Sequence, residues 1–306
     1  MAKNFCRDGI AENVQYGALG PRVKSVSGAF QVRNAADGAF VRMAGDDPTA
    51  DDDFVTKRWG LANLGGGGAL PAGLPHANDL IFYVDAADLA SYAGTGTTVV
   101  DRTGNGSAGT LVGGTAVANG AFQIDGATTK GVSFTKNATL DNLFDGGATV
   151  LTFIQTQTPG DGGSGRFLST EGASTGWYLF GDTAFGGAGV RTRFIRKSGG
   201  GTDGTWTGTG AMPRGSAATT GGGFAYTSFG VTYDDSVLAN DPTLYNNGLT
   251  VGTPAGTNPS ALGSDVGNPL KIGNAANDGA PMNGQSQVTL IWSRILTAEE
   301  VLQAHN

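Results

Sequence analysis

Short apolar runs separated by polar, glycine-rich breaks fill most of this chain. Leu80-Ile81-Phe82-Tyr83-Val84 is one such run, and Ala121-Phe122-Gln123-Ile124-Asp125 alternates inward and outward positions. Val132–Phe134, Val150–Ile154, Trp177–Phe180, Arg191–Ile195, Phe229–Tyr233 and Leu270–Gly273 follow, and Val288–Ile291 leads into Trp292. β-Branched and aromatic residues with period-two alternation, bounded by Gly, Asn, Asp and Pro, predict strands. At the end the pattern changes. Thr297 stands three residues before Glu300, the spacing of a capping box whose side chains satisfy the free N–H groups of a helix start. The chain therefore reads as an all-β sandwich closed by one short helix, not as a catalytic α/β sheet.

Composition narrows the class. Glycine supplies 53 of the 306 residues, far above the ~7% of an average protein. That disfavours long helices, where each interior Gly costs about 0.8–1 kcal/mol relative to Ala, and favours tight turns. No G-X-Y period marks collagen, and the apolar runs argue against whole-chain disorder. The formal net charge is −7 and the basic residues are few and scattered. A duplex-binding surface needs clustered Lys and Arg, so nucleic acid is not an expected partner. The single cysteine, Cys6, excludes an internal disulfide framework and a cysteine-based zinc cluster. No apolar run approaches the roughly 18 residues of a membrane helix, so no membrane insertion is expected. The polar start MAKNFCRDG is not expected to act as a secretory signal.

Two unlike segments are expected, residues 1–64 and 77–306, joined by a Gly/Pro linker over 65–76 that holds Gly65 to Gly68, Pro71 and Pro75. Glycines without side chains to pack, followed by stiff prolines, mark a boundary. In the first segment Val23, Val26 and Phe30–Val32 predict a hairpin near Ser27-Gly28, and Ala39–Met43 another strand. The acidic stretch from Asp46 to Asp53, followed by Lys57 and Arg58, fits the charge order of a short helix. A segment this short does not readily bury its own core, so it is expected to find one by oligomerising.

The stretch Gln31-Val32-Arg33-Asn34-Ala35-Ala36-Asp37, then Asp47-Pro48-Thr49-Ala50 and Thr56-Lys57-Arg58, resembles a unit found in phage tail fibres and related virion proteins. Trp59-Gly60 stands where that pattern has Tyr-Val. The resemblance implies an intertwined homotrimer attached to the particle, with Val32, Phe40, Pro48, Phe54 and Trp59 as the assembly and attachment residues. In the larger segment three landmarks occur in order. Phe82–Ala86 is followed by Asp101–Gly106 and Gly109–Leu111; then comes Phe122-Gln123-Ile124-Asp125-Gly126; last comes the final strand with Leu296–Val301. This order resembles the concanavalin A-like, laminin-G-type jelly roll, and implies that sandwich for residues 77–306.

Candidate chemistry is sparse. The two histidines, His76 in the linker and His305 at the terminus, argue against a His-based triad or zinc site; they read as a solvated linker residue and a helix-end cation. Gly65–Gly68 lacks the Lys-Ser/Thr of a phosphate loop, and no nucleophile elbow occurs. Some sandwiches of this type are glycosidases, but Glu171 lies in a Gly-rich turn and Glu299 and Glu300 in the closing helix. No paired acids on one strand are therefore expected, and no enzyme activity. Asp85, Asp101 and Asn105 lie in loops that sometimes hold calcium in folds of this type. Asp101 and Asn105 can equally shape their turn through side-chain to backbone bonds, the favoured reading. For sugar binding, Trp177-Tyr178, Trp206 and Tyr226 are candidates. Trp206, flanked by glycines, reads as an exposed loop aromatic, while Trp177 and Trp292 are expected in the core.

Taken with the resemblance, these observations lead to a non-enzymatic phage virion structural protein without a resident cofactor, located on the particle surface. Its expected partners are two further copies of itself, neighbouring tail or major capsid proteins, and host surface polysaccharide bound through a trimeric, avidity-enhanced display. Two placements stay open, a tail-fibre or tail-tip appendage and a capsid decoration protein or head fibre. A free-standing carbohydrate-binding module and a polysaccharide depolymerase are the other classes.

Overall fold

The structure is a computed structural model. It describes residues 13–15, 22–26 and 29–33, and residues 70–306 except 106, 128, 159–164, 183–188, 214–225 and 253–254. The chain divides into two units, Met1–Gly60 and Leu61–Asn306. In the first, β1 (Asn13–Gln15), β2 (Arg22–Val26) and β3 (Ala29–Arg33) form an antiparallel sheet. Val26 pairs with Ala29 and Val23 with Val32, the hairpin that the apolar pattern predicts. The strand and helix expected further on, with Phe40, Pro48, Phe54 and Trp59, lie outside the described residues, as does the Gly65–Gly68 run.

The second unit is a two-sheet sandwich. Its strands begin with β4 (Leu80–Asp85), β5 (Thr98–Val100), β6 (Ala108–Val112), β7 (Ala116–Ala118), β8 (Ala121–Asp125) and β9 (Gly131–Thr135). Next come β10 (Ala148–Thr158), β11 (Arg166–Ser169), β12 (Trp177–Asp182), β13 (Gly189–Arg196) and β14 (Gly204–Pro213). Last are β15 (Thr227–Tyr233), β16 (Thr243–Asn246), β17 (Leu249–Thr250), β18 (Ala255–Thr257), β19 (Leu270–Ile272) and β20 (Asn283–Trp292), followed by helix α1 (Ala298–His305). One sheet has eight strands in the order β17-β16-β15-β10-β20-β8-β7, with β4 also beside β20. The other has nine, β18-β14-β13-β12-β11-β19-β9-β6-β5. The long final strand organises the first sheet: β20 pairs with β10 on one side and with both β4 and β8 on the other.

Alternation along the strands sends one set of side chains into the space between the sheets. Phe82, Phe122, Phe134, Phe144, Trp177, Phe194, Trp206 and Phe229 meet there, each almost wholly buried. Phe82 and Phe134 close edge-to-face at 4.9 Å. Each such side chain contributes about 1.5–3 kcal/mol on leaving water. The architecture is the all-β, concanavalin A-like jelly-roll sandwich expected from the sequence.

The outer face of the eight-stranded sheet is also apolar, with Tyr83, Leu151, Tyr245, Leu290 and Trp292 buried there. Val301 and Ala304 of α1 cover it, together with Leu70 and Leu74. The helix starts on the expected capping box: Glu300 N–H donates to Thr297 Oγ1, and Thr297 N–H donates to Glu300 Oε2.

Two sequence expectations change here. Residues 70–76, expected within a solvated linker, form a strap bound to the sandwich. Trp292 Nε1 donates to the Pro75 carbonyl at 2.9 Å, and Gln303 Nε2 to the Gly73 carbonyl at 3.1 Å. His76 is exposed, as expected of a linker residue, and its ring meets Glu300 at 2.5 Å. Composition marks this stretch as breaker-rich, but its two leucines find an apolar sheet face. His305, expected as a helix-end cation, stacks on Phe153 at 5.8 Å, and burial lowers its pKa.

Candidate functional site

Because Trp177, Leu179 and Phe194 point into the core, their neighbours Tyr178, Phe180 and Arg193 project from the opposite, outer face of the nine-stranded sheet. Register brings these neighbours together: Phe180 lies opposite Arg193 on one side and Arg166 on the other. The Arg166 guanidinium sits 3.7 Å from the Tyr178 ring centroid and 5.0 Å from that of Phe180, and Arg193 lies 5.2 Å from Phe180. Such cation–aromatic contacts contribute about 0.5–1 kcal/mol each when exposed.

Two ion pairs flank Tyr178. Glu171 holds Arg166 in a fork, Nε to Oε2 at 2.9 Å and Nη2 to Oε1 at 3.4 Å. On the other side Lys197 Nζ reaches Asp203 Oδ2 at 2.8 Å, while Asp203 Oδ1 accepts from Ser198 N–H at 3.0 Å. Burial, opposed by Arg166, raises the Tyr178 pKa, so the phenol keeps its proton and can donate. Burial works against the charges of Lys197 and Asp203, yet their mutual bond outweighs it: the lysine pKa rises and the aspartate pKa falls. Further along the same sheet Lys271 pairs with Asp278.

The turn that carries Glu171 is fixed from below. Arg196, buried with Asp235 at 2.7 Å, also donates to the Gly176 and Gly263 carbonyls at 3.1 and 2.8 Å. Thr170 Oγ1 donates to Asp265 Oδ2, and Asn268 Nδ2 to the Thr170 carbonyl. Gly176 takes φ +86, where a Cβ would collide with the Thr170 carbonyl. The side chains on this face are thus held by a buried polar frame.

The calcium candidates bond within their own turns and to β4. Asp101 Oδ1 accepts from Tyr83 N–H and Thr103 N–H, both at 3.0 Å, and from Thr103 Oγ1 at 2.9 Å. Asn105 Nδ2 donates to the Ile81 carbonyl and Thr103 Oγ1, and Asp85 Oδ1 accepts from Ala87 N–H. The bonds to Asp85 and Asp101 engage carboxylate oxygens, while Asn105 takes part through its amide nitrogen. Burial raises the Asp101 pKa despite them. Among the described residues no group of three or more His, Cys, Asp or Glu side chains is placed to hold a metal ion.

Trp206, expected as an exposed sugar-binding aromatic, is fully buried. It stacks on Phe194 at 5.8 Å, and its Nε1 donates to Asp241 Oδ1 at 2.9 Å. The glycines beside it misled the sequence reading. Gly204 and Gly256 are strand positions where any Cβ would strike the indole, so they make room for the ring. Tyr226 is half-buried and donates to Gln285 of β20 at 2.6 Å, so it belongs to the other sheet. Trp177 and Trp292 are in the core as expected. Tyr178 is the sequence candidate that reaches the outer face; Arg166, Arg193 and the role of Glu171 were missed. Alternation of aromatics along 177–180 beside arginine-bearing β13 was the signal available.

No protein-family model matches this chain, and no curated protein matches it in sequence. Solved structures do match. The receptor-binding domain of botulinum neurotoxin C/D mosaic serotype aligns with TM-score 0.52 at 11% identity, over 75% of this chain and 51% of that one. The binding domain of Paraclostridial Mosquitocidal Protein 1 aligns with TM-score 0.52 at 14% identity, over 75% and 52%. The binding domain of botulinum neurotoxin DC in complex with SialylT gives 0.51 at 11%, over 75% and 52%. The chain thus spans about half the length of these three structures, and at these identities the likeness is one of fold.

Proposed function

We propose that the sandwich is a non-catalytic glycan-binding module, carried as a homotrimer on the surface of a phage particle by the N-terminal unit. The observation that carries the binding reading is the contrast between the two outer faces. One is sealed by α1 and the 70–76 strap. The other presents Tyr178 between two partly exposed ion pairs. An aromatic surface with a few placed polar groups suits a sugar ring. Similar folds that serve as binding domains in toxins, one of them in complex with SialylT, agree with this reading. The particle and the trimer rest on the tail-fibre-like stretch between Gln31 and Arg58, and the ligand would be host surface polysaccharide. A glycan array on the purified full chain tests the binding, with no signal at high density counting against it. Light scattering tests the trimer, and monomers alone at micromolar concentration would remove it. Electron microscopy of intact particles separates tail from capsid placement.

A further inference from the structure

Resting on that glycan-binding reading, we infer that the ligand is a neutral sugar and that it is held at Tyr178 by the Arg166–Glu171 and Lys197–Asp203 pairs. The charges of these four side chains cancel. Each pair sets a donor beside an acceptor, 2.9 Å apart in one and 2.8 Å in the other. A sugar hydroxyl both donates and accepts, so a pair of neighbouring hydroxyls is matched by such a couple. An anionic sugar would bring a carboxylate against Glu171 or Asp203.

Exposure separates these pairs from the structural ones. Arg196–Asp235 is sealed, with side chains 3% and 1% exposed. Arg166 and Glu171 are 12% and 14% exposed, and Lys197 and Asp203 16% and 31%. The outward pairs are held in place yet touch solvent. The Arg166 guanidinium is stacked on one face of the Tyr178 ring and presents its own planar face there. Arginine is weakly hydrated, so packing a sugar face against it displaces little tightly held water. The ring and both pairs sit on β11, β12, the turn joining them and the turn between β13 and β14, fixed by the Arg196 and Asp265 frame, so little ordering is needed on binding.

The experiment uses the full chain and its E171Q and D203N variants, which keep size and remove one acceptor charge each. Binding to immobilised neutral hexose polysaccharides and to uronic-acid polysaccharides is measured, with melting curves to verify folding. The expected result is binding to a neutral polysaccharide that weakens about tenfold or more in each folded variant. Binding should hold between about 50 and about 500 mM salt, because a neutral sugar carries no charge to be screened. Neutral-sugar binding unchanged in both variants would overturn the site while leaving the glycan-binding reading intact. Binding restricted to uronic-acid polymers and lost with salt would overturn the ligand class. An absence of all glycan binding by the unmodified chain would remove the broader reading and this inference with it.

Discussion

Lys136 and Asp265 form a sealed ion pair, Nζ to Oδ1 at 2.8 Å with side chains 2% and 0% exposed. The ammonium also donates to the Asp265 carbonyl at 2.9 Å and lies 3.1 Å from Asp141 Oδ1. Asp265 in turn accepts from Asn142 N–H and from Thr170 Oγ1, both at 2.7 Å. One carboxylate thereby ties the loop after β9, the end of β11 and the loop before β19. Removing the lysine leaves that carboxylate buried without its cation. Lys136→Met is expected to cost about 3–5 kcal/mol of unfolding free energy, read from urea denaturation. The K136M/D265N double variant should lose much less than the two single losses added. Additive losses would mean that the two residues act separately.

Gly176→Ala tests the frame beneath Tyr178. At φ +86 a side chain is strained, and the new Cβ would press on the Thr170 carbonyl, which is backbone and cannot swing away. Strain alone costs about 1–3 kcal/mol, and the collision adds to it. The Gly176 carbonyl also accepts from Arg196 and from Lys197 N–H, so the whole turn must shift. The melting temperature should fall. At Gly146, where φ is +89 but no atom lies within 4 Å, Ala should cost less. Equal losses at the two positions would show that φ alone matters.

How far these features could be read from sequence depends on whether they are local. The strands Leu80–Asp85, Ala121–Asp125 and Phe229–Tyr233 announce themselves by alternation, and the capping box of Thr297 and Glu300 is written within four residues. Trp206 was misread because glycine beside an aromatic has two meanings, loop and close packing, and only the strand pairing of β14 with β18 decides between them. The strap was misread for a similar reason. Leu70 and Leu74 need a partner face assembled from β4, β10 and β20, which no local pattern foretells. The Tyr178 cluster depends on register between β11, β12 and β13. Its aromatic was visible in the sequence; the Arg166 guanidinium stacked on it was not.

The closing helix should loosen in acid in two stages. Burial keeps the His305 pKa below its ordinary 6.5, so the unfolded chain takes up that proton first. Stability contributed there is present above about pH 6.5 and declines as pH falls through that value. The Thr297 N–H and then the His76 ring hold the Glu300 carboxyl at about 2, against an ordinary 4.5. Its folded pKa is depressed, so its contribution is complete above about pH 4.5 and is lost on the way down to about 2. Urea midpoints measured across pH for the parent chain, His305→Phe and Glu300→Gln separate the stages. H305F should flatten the first decline, and E300Q the second. Parallel curves for all three would contradict the assignment.

The bond from Trp292 Nε1 to the Pro75 carbonyl joins residues 217 positions apart and fastens the strap to the middle of the eight-stranded sheet. Trp292 is fully buried and Pro75 is buried beside it. Trp292→Phe keeps an aromatic ring but leaves that carbonyl without its donor, a loss of about 1–3 kcal/mol. The effect should be local before it is global. Leu70 and Leu74 are only partly buried, and further side-chain ties of the strap among the described residues are exposed, from Gln303 to Gly73 and from His76 to Glu300 and Arg294. Exposed bonds of this kind contribute little, so the indole donor is the main polar anchor. Limited proteolysis should then cut the W292F variant near Ala72-Gly73 well before the sandwich opens, while the parent chain resists at the same protease dose. Equal cleavage of both would show that the two leucines hold the strap without the indole. Faster cleavage in W292F with unchanged exchange at β10 and β15 amides would place the strap among the first, separately opening parts of the domain.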